Sequence, residues 1–254
     1  MPANHLRGLM VSQAANRTAS VLIANGRLDT TTYRPLRDSV IEASLDDVGG
    51  VVVDVSPLEV PTESAWSVFT SAQLHMRLWP GKPLLLVCEN QQRREVMARN
   101  GITRYVPVYR SALDAIRALP DEEGSSMRRR AALQLPGSAA ALERARVFVR
   151  ERLTAWSRPE LIAVAKLLVT VLVENVLAHT GCGPEVRLES RDDVVTMAVA
   201  DDSTALATRR EPLPGGKEDV SGLAIVAALS RGWGNTPTGS GKYVWATVGP
   251  ENQL

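Results

Sequence analysis

The chain has 254 residues, 44% of them hydrophobic and 22% charged, enough for one large or two small domains in an ordinary soluble protein. Its 29 Lys and Arg are matched by 28 Asp and Glu, which argues against wholesale binding to nucleic acid or an anionic membrane. The two cysteines, Cys88 and Cys182, lie too far apart in sequence for a metal-ligand pair and fit a reducing, cytoplasmic setting.

The opening "MPANHLRGLMVSQ" lacks the apolar core of a secretory signal. From there, strand and helix patterns alternate. "SVLIANG", "GVVVDVS" and "KPLLLVCE" are short apolar runs that end in turn residues. Between and after them, "TTTYRPLRDSVIEASL", "TESAWSVFTSAQLHMRL", "NQQRREVMARNG" and "SALDAIRAL" carry apolar residues at helical spacing. This alternation predicts an α/β sandwich on a largely parallel sheet.

Composition breaks at "LPDEEGSSMRRRAALQLPG", so a domain is expected over residues 1–120, a linker over 121–130 (its centre Asp121–Met127), and a second domain over 131–254. In that half, "AALQL" reads as a strand. The stretch 137–156 reads as an amphipathic helix capped at Ser138, with Leu142, Ala145, Val149 and Leu153 on one face. A very apolar helix is expected over Pro159–His179. Within it, Leu161–Ala178 comes close to the ~20 apolar residues of a membrane span, but Lys166 and Glu174 would each cost roughly 2.5–3.5 kcal/mol at a bilayer centre. A core helix is therefore expected. "EVRLES" and "VVTMAVADD" follow as strands, "GLAIVAALSRG" as a helix and "YVWATV" as a last strand, predicting an α+β two-layer sandwich.

The second half resembles the GHKL (Bergerat) ATPase fold, specifically the anti-sigma-factor serine kinases of bacterial partner-switching systems. The likeness spans residues 131–248 and rests on "LPGSAAALERARVFVRERLTAW", "LVENVLAHTG", "MAVADD" and "SGLAIVAALSRGWGNTPTGSGKYVWATV". The first half, residues 9–119, is similar to the STAS domains of the antagonists that such kinases phosphorylate. That likeness rests on "GRLDTTTYRPLRDSV", "VVVDVSPLEVPTESAWSVFTSA" and "ENQQRREVMARNGITRYVPVYRSALDAI".

The resemblance implies a nucleotide pocket for ATP or ADP with magnesium, made from Asn175 (the magnesium-holding asparagine), His179, Asp201 (the adenine-binding aspartate), Gly222 and Leu223. Several family positions are altered. The general base one turn before Asn175 becomes Val171, and Glu174 lies ~100° around the helix from Asn175. Ser203 and Ala205 replace glycines after the aspartate, and Val220 replaces the first glycine of the phosphate turn, where a β-branched residue disfavours φ > 0. "PLPGGKED" would be a shortened lid, with Lys217 as a phosphate contact or a solvated loop lysine. General-base help is typically worth ~10²–10⁴ in rate, so no catalytic residue is assigned and the chain is expected not to be an efficient enzyme. Competing readings make Asn175 and His179 a hydrogen-bonded buried pair and Asp201 a turn residue.

In the first half, Ser64 holds the family's phosphoacceptor position, with Thr62, Glu63 and Ala65 around it. Three roles are open there: Ser64 as acceptor, Thr62 or Ser64 as a helix cap, and Glu63 as a fixed charge imitating phosphate. Trp66, His75 and Trp79 lie nearby, with Trp66 readable as core or as a partner anchor, and "MRRRAAL" as a phosphate contact or a linker end. The expected function is a cytoplasmic bacterial signalling protein that binds a sigma factor, an anti-sigma factor or its antagonist, as a homodimer. The alternatives are an active serine kinase and an adaptor without nucleotide.

Overall fold

The computed structural model describes residues 3–6, 9–15, 18–120, 128–180, 182–203 and 222–254. The chain divides into two compact units, Met1–Gly124 and Ser125–Leu254. The linker centre Asp121–Met127 lies outside the described residues.

The first unit is built on one mixed sheet. Its strands are β1 (Ala3–Leu6), β2 (Leu9–Ala15), β3 (Ala19–Arg27), β4 (Gly50–Asp54), β5 (Leu58–Glu59), β6 (Leu84–Val87) and β7 (Val108–Tyr109). The order is β1-β2-β3-β4-β6-β7, with β5 beside β3. β3, β4, β6 and β7 run parallel, while β1 and β2 form an antiparallel extension of β3. That extension is where the unit departs from a largely parallel sheet.

The continuous apolar runs of β4 and β6 arise because both sheet faces are covered. Val51, Val53, Leu84 and Leu86 pack with α1 (Tyr33–Ala43), α2 (Ser67–Leu78) and α3 (Gln91–Arg99) through Leu36, Ile41, Phe69, Met76 and Met97. Val52, Leu85 and Val87 face the opposite side, against Ala115 of α4 (Ala112–Arg117) and Leu119. The side chains of Asn90 and Ser111 cap α3 and α4 by accepting from the Arg93 and Asp114 amides. Trp66 is buried with its ring centroid 6.1 Å from that of Phe69, so it belongs to the core. Trp79 is also buried, and His75 is half-buried.

The second unit is a five-stranded antiparallel sheet in the order β11-β12-β10-β9-β8. Its strands are β8 (Arg129–Gln134), β9 (Glu185–Arg191), β10 (Val194–Asp201), β11 (Gly232–Pro237) and β12 (Lys242–Val248). One sheet face packs under three helices, α5 (Ala140–Ala155), α6 (Ile162–His179) and α7 (Gly222–Leu229). Val186, Leu188, Met197, Val199, Val244 and Ala246 supply the sheet side of this core. Helix α6 is long and apolar enough to cross a membrane by composition. Here Val164, Leu168, Val169, Leu172, Val173 and Val176 are buried in that core.

Four local expectations need correction. The cap of α5 falls on Ala139, with no side-chain capping bond, rather than on Ser138. Leu142 is half-buried beside the fully buried Ala145, Val149 and Leu153. The last helix stops at Leu229, and Gly232 already opens β11. The three-arginine run is not a solvated linker end: Arg129 and Arg130 lie in β8, and Arg128 and Arg130 both pair with the half-buried Glu189.

Candidate functional site

In the second unit, the start of α7 lies against the middle of α6. A Cβ placed on Gly222 would lie 2.8 Å from Val171 Cγ1, 3.6 Å from Asn175 Oδ1 and 3.8 Å from Asn175 Nδ2. Val171 and Asn175, one turn apart on α6, therefore both meet Gly222. What meets there is one amide and one isopropyl group, with no carboxylate among the three. Magnesium prefers carboxylate and phosphate oxygens in octahedral geometry, so this trio does not fit a magnesium site and no chemical step is assigned through it.

The other residues implied by the resemblance are placed differently. Leu223 is buried in the core. Glu174 and His179 are exposed, and Asn175 is half-buried. The buried Asn175–His179 pair is thus not formed. Ala205, Lys217 and Val220 lie outside the described residues.

Asp201 is the last residue of β10, not a free turn residue, and its carboxylate is occupied. Oδ2 lies 2.5 Å from Lys242 Nζ, with side chains only 11% and 4% exposed. Oδ1 accepts from the Ser203 amide at 2.8 Å, and Lys242 also donates to the Ser203 carbonyl at 2.9 Å. An adenine amino group would have to compete with an internal ammonium. Sequence reasoning missed Lys242. The signal is cross-strand and emerges only with the register: Asp201 and Lys242 are direct partners between β10 and β12. Gly241 makes this approach possible, because a Cβ there would lie 2.1 Å from the Asp201 carbonyl.

A second polar cluster lies on the neighbouring strands. The Arg187 guanidinium sits 4.7 Å from the Tyr243 ring centroid, and the Tyr243 hydroxyl donates to Glu185 Oε1 at 3.2 Å. Burial, with the nearby Glu185 charge, pushes the phenol up to about 12 against the opposing Arg187. Because the folded value exceeds the ordinary ~10, the stability contribution is complete below pH ~10 and is lost as pH rises from there to about 12. An ultraviolet titration of the four tyrosines should show the last ionising near 12, and Tyr243→Phe should remove that step.

In the first unit, Thr62, Glu63 and Ser64 are all exposed on the approach to α2. Glu63–Trp66 forms a single 3-10 turn, closed by the Ala65 amide donating to the Thr62 carbonyl at 2.9 Å. Neither this turn nor α2 has a side-chain capping bond, so the helix-cap reading of Thr62 and Ser64 does not hold. Glu63 is tied instead to the end of α3: its Oε2 accepts from Asn100 Nδ2 at 3.0 Å. Three residues after Ser64 begins the outer row of α2, with Ser67 exposed, Leu74 49% exposed and Leu78 68% exposed. The exposed Ser64 thus precedes the helix whose outer row carries the solvent-facing Leu74 and Leu78.

No family model matches the chain, and no curated protein matches it. Solved structures it resembles include anti-sigma factor antagonists and a STAS domain protein. One is an anti-sigma factor antagonist from Mycobacterium paratuberculosis, 18% identical, covering 44% of this chain and 95% of that one with a TM-score of 0.39. A STAS domain protein from Planctomyces limnophilus is 14% identical, covering 43% and 97% with a TM-score of 0.36. The antagonist SpoIIAA in its unphosphorylated form is 16% identical, covering 44% and 99% with a TM-score of 0.34.

Proposed function

We propose that this chain is a bacterial, cytoplasmic partner-switching regulator that acts by binding proteins. In this reading a STAS-like unit is joined to a GHKL-like unit whose nucleotide site has degenerated. The observation that carries it is the exposed turn Thr62–Ser64 leading into the exposed leucines of α2. A hydroxyl at that place can accept a phosphoryl group, which adds ≈ −1.5 to −2 charge at the start of the helix that carries the apolar row and so can weaken docking of a partner that covers both. Leu74 and Leu78 supply apolar contact area, and Ser64 the switch. The partner is an anti-sigma factor of the serine-kinase class.

The second unit supports the same reading. Val171 offers no proton acceptor, and Asp201 is engaged by Lys242. The GHKL likeness rests on sequence, and ATP or ADP is at most a weak ligand there. On this view the second unit serves as a binding scaffold.

The test is direct. Anti-sigma-factor kinases from the source genome, purified and immobilised, should capture the chain, and a Leu74→Asp/Leu78→Asp variant should bind at least tenfold more weakly, a loss of about 1.4 kcal/mol or more. A fluorescent ADP analogue with magnesium should show no saturable binding in the micromolar range. Equal capture of the wild type and the double variant would overturn the docking role of α2. Tight saturable nucleotide binding would overturn the degenerate-site reading.

A further inference from the structure

The chain contains two Asn-Gly dipeptides, Asn25-Gly26 and Asn100-Gly101, and the fold treats them differently. Asn25 and Gly26 lie inside β3, where they pair with Met10 and Leu9 of β2, and Gly26 also pairs with Leu58 of β5. Asn100 is exposed, immediately beyond the last residue of α3, and Gly101 takes up the left-handed conformation at φ 74°. The space beside Gly101 is open: a Cβ there would meet nothing nearer than Arg104 Cδ at 4.0 Å.

We propose that Asn100 is a site of spontaneous deamidation and that Glu63 sets its rate. The Gly101 backbone nitrogen gives up its proton and attacks Asn100 Cγ. A nitrogen–carbon bond forms, the Cγ–Nδ2 bond breaks, and Nδ2 leaves as ammonia. Water then opens the cyclic imide to aspartate or isoaspartate. The balance is asparagine plus water to acid plus ammonia, with no oxidant or reductant.

Two sets of hydrogen bonds oppose this step. Asn100 Nδ2 is held by Glu63 Oε2 and by the Val96 carbonyl, each at 3.0 Å. The Gly101 amide donates to the Ala98 carbonyl, also at 3.0 Å. The Gly101 and Val96 bonds are local to a helix end, where opening costs little. The Glu63 bond is the only one of these that joins Asn100 to another element, and it holds the nitrogen that must leave. The product carboxylate would have no N–H to offer and would face the Glu63 carboxylate directly, repelling the turn that carries Ser64. That regulatory consequence rests on the reading of Ser64 given above; the conversion itself does not.

The full chain, Glu63→Ala and Glu63→Gln, each shown to be folded by circular dichroism, would be held in mildly alkaline buffer and digested for peptide mass spectrometry. Asn100 should convert while Asn25 lags behind. Glu63→Ala should convert Asn100 severalfold faster than the wild type. Glu63→Gln should stay near the wild-type rate, because its carbonyl accepts the same bond. The proposal is overturned if Asn100 remains intact over the time in which the urea-unfolded chain has converted. It is equally overturned if Glu63→Ala is no faster than the wild type.

Discussion

Lys242→Ala is expected to be among the most damaging single substitutions in the second unit, at about 3–5 kcal/mol. The ammonium is 4% exposed and 2.5 Å from Asp201 Oδ2, and the carboxylate is itself only 11% exposed. Removing the lysine leaves a nearly buried negative charge whose remaining neutral donor, among the described residues, is the Ser203 amide. The size of the loss comes from that stranded charge more than from the net worth of the pair. A double variant, Asp201→Leu/Lys242→Met, should therefore recover most of the stability. Guanidinium unfolding followed by circular dichroism would read both. If Lys242→Ala shifted the midpoint no more than a surface substitution does, the carboxylate would be solvated and open to a ligand after all.

Phe69→Ala is expected to cost the first unit a similar ~3–5 kcal/mol. Phe69 is wholly buried, next to Trp66, and lies on the inner face of the helix whose outer face carries Leu74 and Leu78. Its removal opens a cavity between α2 and the sheet. The unfolding midpoint should fall, with the slope on denaturant unchanged if the denatured state is unaffected. Phe69→Leu should cost much less because it keeps most of the volume. A midpoint unmoved by Phe69→Ala would mean that α2 is not anchored through this ring.

The parts of the fold legible in the sequence were those whose side chains meet two constraints at once. "GVVVD" and "LLLV" are buried on both faces and so read as unbroken apolar runs. Helix α6 was legible for the same reason. β11 was hidden because "GWGNTP" holds two glycines, an asparagine and a proline, all poor strand formers, and is made a strand only by its register with β12. β1 joins the sheet by pairing with β2, and β2 by pairing with β3, so their places are set by their strand partners and not by strong apolar runs of their own.

At the candidate sites, the one-turn spacing of Val171 and Asn175 could be read from the sequence. The capture of Asp201 could not, because a lysine at the start of a strand reads as an ordinary solvated flank. The tie between Glu63 and Asn100 spans 37 positions and involves two exposed side chains, so it too needed coordinates.

The contact between Gly222 and Val171 changes what a glycine at that position signifies. With only 2.8 Å between a would-be Cβ and the valine methyl, hydrogen is the side chain that fits, whether or not any phosphate ever approaches. In relatives of this chain, residue size at the two positions should therefore covary: bulk at 171 demands glycine at 222, and a smaller residue at 171 would release it. A glycine at the start of a helix can in this way be preserved by steric fit alone, with no ligand to require it.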